Sequence, residues 1–92
     1  MCTFFFFGSY SQDAVKSITA KRTAKAEGLI SGFGGKMRSV YALLGQFDLV
    51  IIADLPGIEE AMQASVEMSI DSGITFNTCP AVPVADFDSL MA

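Results

Sequence analysis

Few side chains in this 92-residue chain are equipped for chemistry, and Asp48 draws attention first. A carboxylate at the entry to the apolar run Leu49-Val50-Ile51-Ile52-Ala53 can hold a ligand amine, act as a base when desolvated, or pair with Arg22. An Asp at a hairpin exit equally accepts backbone N–H groups and fixes the turn with Gly45, a structural role that this residue type fills commonly. Tyr41 and Arg22 are its nearest candidate partners. Arg22 falls in the middle of an apolar helical stripe, where an arginine more often snorkels or pairs with a carboxylate than binds an anion. Asn77 and Thr78 complete the candidate ligand-binding set of Asp48, Tyr41, Arg22, Asn77 and Thr78. The chain has no His and no Trp, so it lacks the residue most used for proton transfer near neutral pH and for zinc or haem ligation. No catalytic group, metal ligand set or cofactor is expected. Glu59 with Glu60, and Asp86 with Asp88, read as solvated charges rather than as metal ligands.

Two cysteines are too few for a disulfide-built scaffold, and Cys2 and Cys79 form no C-x-x-C motif. A reducing compartment is the default. Residues 1–8, with four successive phenylalanines, lack the basic segment and the longer apolar segment of a signal peptide, and no apolar run approaches the roughly 20 residues needed to cross a bilayer. A soluble, cytoplasmic protein is expected.

Apolar residues make up 51% of the chain and charged residues 17%, which is too hydrophobic for a disordered segment. Ninety-two residues suffice for one small domain. The formal net charge of −4 disfavours nucleic acid as a partner. The charge is unevenly placed. All six bases (Lys16, Lys21, Arg22, Lys25, Lys36 and Arg38) precede residue 39, with only Asp13 and Glu27 among them, whereas the remainder carries eight acids and no base. The basic run is either a solvated helix face or one side of an electrostatic pairing between the two halves, within or between subunits.

These residues must be positioned by elements that the pattern makes readable. Residues 3–8, aromatic without alternation, read as a strand buried on both faces. Ser11 caps a helix whose stripe, Val15, Ile18, Arg22, Ala26, Leu29 and Phe33, steps by three and four until Gly32, Gly34 and Gly35 end it. Residues 36–44 read as a wetter strand, Gly45-Gln46 as a short turn, and 47–53 as a second buried strand. After Pro56 a helix follows with Glu59 and Glu60 in its first turn. Ile58, Met62, Ser65, Val66 and Ser69 line one of its faces, and Gly73 stops it. A last strand over 74–82 contains Pro80 and so belongs at a sheet edge. Residues 85–90 suit one further helical turn.

The order is βαββαβ, the α+β ferredoxin-like pattern, a four-stranded antiparallel sheet whose right-handed crossovers put the first and third strands in the centre. Both helices then cover one face. Alternation separates Phe4 and Phe6 from Phe5 and Phe7, and Leu49 and Ile51 from Val50 and Ile52, so half of these large side chains lack a cover within their own subunit. Face-to-face packing of two sheets into a homodimer is therefore expected. The same topology sets the start of the first strand antiparallel to the end of the last and brings Cys2 towards Cys79, without requiring a bond between them.

The stretch Val40-Tyr41-Ala42-Leu43-Leu44-Gly45-Gln46-Phe47-Asp48, followed by Pro56 and a Glu-rich helix start, resembles the GYD-domain family, whose hallmark is aromatic-Tyr-x-Thr-Leu-Gly-x-Tyr-Asp. Gly34-Gly35 before the second strand, Arg22 in the first helix and Thr78 in the last strand also match that family, so the resemblance spans nearly the whole chain. It implies a dimeric α/β barrel, a homo-oligomer. Leu43 stands where the family usually has Thr, Phe47 where it has Tyr, Gln46 where a base is common, and Pro80 where a base often follows the Thr. These departures make any site more apolar and favour packing or apolar-ligand binding over proton transfer.

Other motifs fail on context. Gly32-Phe33-Gly34-Gly35-Lys36-Met37 imitates a phosphate-binding loop, but Met37 replaces the metal-binding hydroxyl and the order is helix then strand. An RNA-recognition motif needs exposed aromatic and basic residues where Leu49 to Ile52 stand. Two classes remain. The first is a homo-oligomeric module that binds a small, largely apolar ligand between sheet and helices. Gly45-x-Phe47-Asp48 and residues 73–78 resemble the effector-binding domain of Lrp/AsnC regulators, without their DNA-binding helix-turn-helix, which favours this class. The second is a cofactor-free enzyme like the isomerases and monooxygenases of the dimeric α/β-barrel group, for which the chain offers Asn77, Tyr41, Asp48 and Thr78.

Overall fold

The computed structural model describes residues 1–16 and 19–92. Its elements run β1 (Cys2–Tyr10), α1 (Gln12–Lys16), α2 (Ala20–Gly32), β2 (Lys36–Ala42), β3 (Leu49–Leu55), α3 (Ile58–Ser72), β4 (Ile74–Ala81) and α4 (Val84–Met91). The strands form one antiparallel sheet in the order β2-β3-β1-β4. This is the ferredoxin-like α+β fold, with the two most apolar strands central and the proline-containing β4 at an edge. α2 and α3 cover the same face. The core lies there, between Phe4, Phe6, Ile51 and Leu55 of the central strands and Ile30 and Met68 of the helices. Phe6 is completely buried, with its ring edge-on to Phe76 at 6.4 Å between centroids.

The region after β1 departs from the single long helix that its periodicity predicts. Ser11 does cap a helix, its Oγ accepting from the Ala14 N–H at 3.0 Å, but α1 is only five residues long. A second start follows at Thr19, which is extended (φ −150°, ψ 156°) and accepts the Arg22 N–H on its own hydroxyl. A side-chain acceptor that offers the backbone a partner outside the helix is the reason for the restart. Ile18, placed in the stripe by its spacing, lies outside the described residues.

α3 begins and ends as its sequence predicts, with Gly73 in the left-handed region (φ +74°) that a non-glycine residue enters only with strain. Its packing face differs from the expected one. Ala61, Ala64 and Met68 are buried, whereas Ile58, Met62 and Val66 are exposed. Small residues let the helix approach the sheet closely, and the larger ones are left on the outer side.

The connection between β2 and β3 is six residues long, not a two-residue turn, because the strands end at Ala42 and resume at Leu49. The Leu43 N–H donates to the Asp48 carbonyl at 2.8 Å and closes the loop, while Leu44 at its tip is fully exposed. At the other end of β2, Gly35 passes so near β3 that a Cβ there would stand 2.6 Å from the Asp54 carbonyl oxygen. The tail forms α4, two turns rather than one.

On the face away from the helices, the register aligns three rows across all four strands. They are Tyr41-Val50-Phe7-Asn77, Ser39-Ile52-Phe5-Cys79 and Lys36-Asp54-Thr3-Ala81. Val50 is buried between its cross-strand neighbours, and Phe5, Phe7 and Ile52 are half-buried. The register also corrects the expected approach of the two thiols. Cys79 stands opposite Phe5, three residues along from Cys2, and alternation turns Cys2 to the other face. Both cysteines are free and exposed.

Candidate functional site

A largely apolar concavity lies under α2. The helix packs against α3 and β2, and where small Ala26 faces the sheet a cleft of about 80 Å³ remains. Its floor is apolar and includes Leu29, Met37, Ile51 and Phe76, while Tyr10, Thr19, Arg22 and Thr23 stand at its mouth. A volume below the ~150 Å³ that accommodates benzene in an engineered protein cavity restricts an occupant to a few heavy atoms. Arg22 is half-buried and held twice. Its Nη1 donates to the Ala14 carbonyl at 2.5 Å, and its guanidinium carbon stands 5.1 Å from the Tyr10 ring centroid. On the α3 side Lys25 pairs with Asp71 at 2.6 Å and ties the two helices together. This ion pair joins the basic first half of the chain to its acidic second half within one subunit, as does the pair of Arg38 with Asp54.

The five residues singled out by sequence are not brought together. Arg22 alone lines the cleft. Tyr41 and Asn77 end one row of the bare sheet face, on opposite edge strands and so roughly 14 Å apart. Thr78 faces the helices, its hydroxyl 2.9 Å from that of Ser65. Asp48 lies in the loop before β3, where a carboxylate oxygen accepts the Tyr10 N–H at 2.8 Å and its own N–H donates to the Gly8 carbonyl at 2.8 Å. Its side chain thus anchors the end of β1, while its carbonyl closes the loop that contains Gly45. Tyr41, Asp48 and Asn77 do not converge on one point within a subunit.

Two features, one at the cleft and one on the bare sheet face, were missed by sequence reasoning. Tyr10 continues the helix-facing alternation of Phe4 and Phe6 along β1, and that period placed it at the cleft. Asp54 is buried, accepts the Thr3 hydroxyl at 2.7 Å, and pairs with Arg38. The Thr3 hydrogen bond first, and then the Arg38 hydrogen bond and charge, hold its carboxyl below the ordinary range against the opposing effect of burial. Arg38 reaches it from the irregularity in β2, where the register shifts between Met37 and Ser39. Among the described residues no cluster of His, Cys, Asp and Glu is arranged to hold a metal ion, and no helix is long and apolar enough to cross a membrane.

A small α+β ferredoxin-like domain with one apolar cleft beneath a helix is the class that fold and site define. The family model of the GYD domain matches residues 4–91. The chain belongs to the GYD-domain family. No match was found among curated proteins. Among solved structures the chain is similar to the leucine response regulatory protein LrpA of Mycobacterium tuberculosis, with a TM-score of 0.59 at 7% identity. The likeness covers 89% of this chain and 51% of that one, so the present chain spans about half the length of the regulator. At that identity the likeness concerns the fold.

Proposed function

We propose that this protein is a cytoplasmic, homo-oligomeric binding module that holds a small, largely apolar ligand in the cleft beneath α2. The observation that carries the reading is the pairing of an apolar floor with a polar mouth at which Arg22 is held in place by Ala14 and Tyr10. An apolar pocket with a few fixed polar groups is the usual form of a small-molecule site, the polar groups setting orientation. Binding rather than catalysis is favoured because no second polar candidate stands beside Arg22 from the set that the sequence offered. Subunits pair through the bare sheet faces, where Phe5, Phe7 and Ile52 remain half-exposed in a single subunit. The resemblance in fold to a protein named for its response to leucine supports a role in sensing a small effector.

A native mass spectrum of the purified, untagged protein tests both parts. The expected result is an even multiple of the 9.8 kDa chain that carries a reproducible extra mass per subunit, lost on mild activation. A bare multiple after incubation with aliphatic acids, amines and alcohols of a few heavy atoms overturns ligand binding. A monomer overturns the sheet-face pairing.

A further inference from the structure

The outer side of α3 carries Ile58, Met62, Val66 and Ile70 at every fourth position, each between 58% and 75% exposed. Large apolar side chains at this spacing form a continuous stripe, which in a solvated helix is normally polar. Beside it, between Ile58, Met62 and Val66 on α3 and Thr78 and Pro80 on β4, runs an open groove of about 410 Å³. Edge strand β4 has no further strand beyond it to fill that space.

The same chain supplies an element of matching shape and chemistry. α4 places Val84, Phe87, Leu90 and Met91 on one side, and none of its residues is buried. Eight helical residues span about 12 Å, the distance that also separates Ile58 from Val66 along α3. α4 does not reach the groove of its own subunit. Val82 and Pro83 link it to β4, Pro83 is extended (φ −57°, ψ 142°), and no residue of α4 lines the groove. The molecule is accordingly long, 48 Å by 30 Å by 18 Å. An apolar helix that stands clear of a groove of its own length has the arrangement of an exchanged arm.

We infer that α4 of one copy lies in the groove between α3 and β4 of a second copy. Val84, Phe87, Leu90 and Met91 cover Ile58, Met62 and Val66, and Asp86 and Asp88 stay at the solvent side of the helix. The groove is on the helical side of the sheet and the bare face on the other, so this contact does not compete with face-to-face pairing and does not depend on the cleft holding a ligand.

The test is a disulfide trap in the full-length chain. Cys2→Ser and Cys79→Ser remove the native thiols, both exposed, and Met62→Cys with Leu90→Cys place one thiol in the groove and one on the arm. After mild oxidation, non-reducing electrophoresis and intact mass are expected to show a covalent dimer as the main product. A monomer with both thiols consumed means that α4 folds onto its own groove, and a monomer with both thiols free means that α4 does not dock. Either result overturns the inference. Adding Val66→Glu, at a site exposed in one copy, should lower the dimer yield at least tenfold while circular dichroism stays unchanged. An undiminished yield overturns the placement in the groove.

Discussion

The guanidinium carbon of Arg22 sits 5.1 Å from the centroid of the Tyr10 ring, so the first turn of α2 and the end of β1 meet at the mouth of the cleft. A partly exposed contact of this kind contributes about 0.5–1 kcal/mol. Arg22→Leu also removes the hydrogen bond to the Ala14 carbonyl and is expected to lower stability by about 1–3 kcal/mol in a thermal or urea melt, while reducing ligand retention in native mass spectra at least tenfold. Retention at the wild-type level in a folded Arg22→Leu protein removes Arg22 from the binding site.

Asp48 offers a contrast, because its partner is backbone. Asp48→Asn keeps an acceptor for the Tyr10 N–H, and a cost of about 1 kcal/mol or less is expected in urea unfolding. Asp48→Ala leaves that N–H without its acceptor in a half-buried place and should cost about 1–3 kcal/mol. If Asp48→Asn instead leaves stability and oligomer unchanged but abolishes ligand binding, the anchoring role is insufficient and the carboxylate charge acts on a ligand.

The sequence carried the sheet well, since strand order and alternation depend on nearest-neighbour pattern and on the handedness of crossovers. Phe4 and Phe6 pointing inward, and β4 at the edge because of Pro80, are consequences of that kind. What it did not carry depends on distances that no periodicity encodes. Ile58, Met62 and Val66 are more hydrophobic than Ala61 and Ala64, yet the closeness of α3 to the sheet selects the alanines for burial. Thr19 interrupts a stripe that continues in register on both sides of it. Tyr41, Asp48 and Asn77 lie near motif positions, but register separates them by strand spacings that only the paired sheet fixes. Cys2 and Cys79 approach along the topology and miss by three residues.

Asp54 sets an acid limit on stability. Its carboxyl is held below the unfolded value of about 3.9, so its contribution is fully present above that pH and is lost as pH falls through the lower folded value. Because Arg38 is largely exposed, the ion pair itself is screened, and Asp54→Asn is expected to cost about 1 kcal/mol near neutral pH. Urea midpoints of wild type and Asp54→Asn, measured from pH 7 down to pH 2, should differ most at neutral pH and converge below pH 4. A gap that is constant over the whole range would mean that the charge of Asp54 contributes nothing.

Phe5 and Phe6 are adjacent in β1 and face opposite sides of the sheet, so the proposed pairing of sheet faces predicts that substitutions at the two separate assembly from folding. Phe6 is completely buried, and Phe6→Ala is expected to cost about 3–5 kcal/mol, enough to unfold much of a marginally stable small domain. Phe5 is half-buried in a single subunit, next to Phe7 with 6.1 Å between ring centroids, and a glutamate there still reaches water. Phe5→Glu should keep the circular dichroism of the wild type and yet halve the particle mass in sedimentation at equal concentration, because two like charges would meet where the faces pack. An unchanged mass would place the subunit contact elsewhere than on the bare sheet face. A collapse of the fold as severe as that of Phe6→Ala would mean that Phe5 is covered within its own subunit.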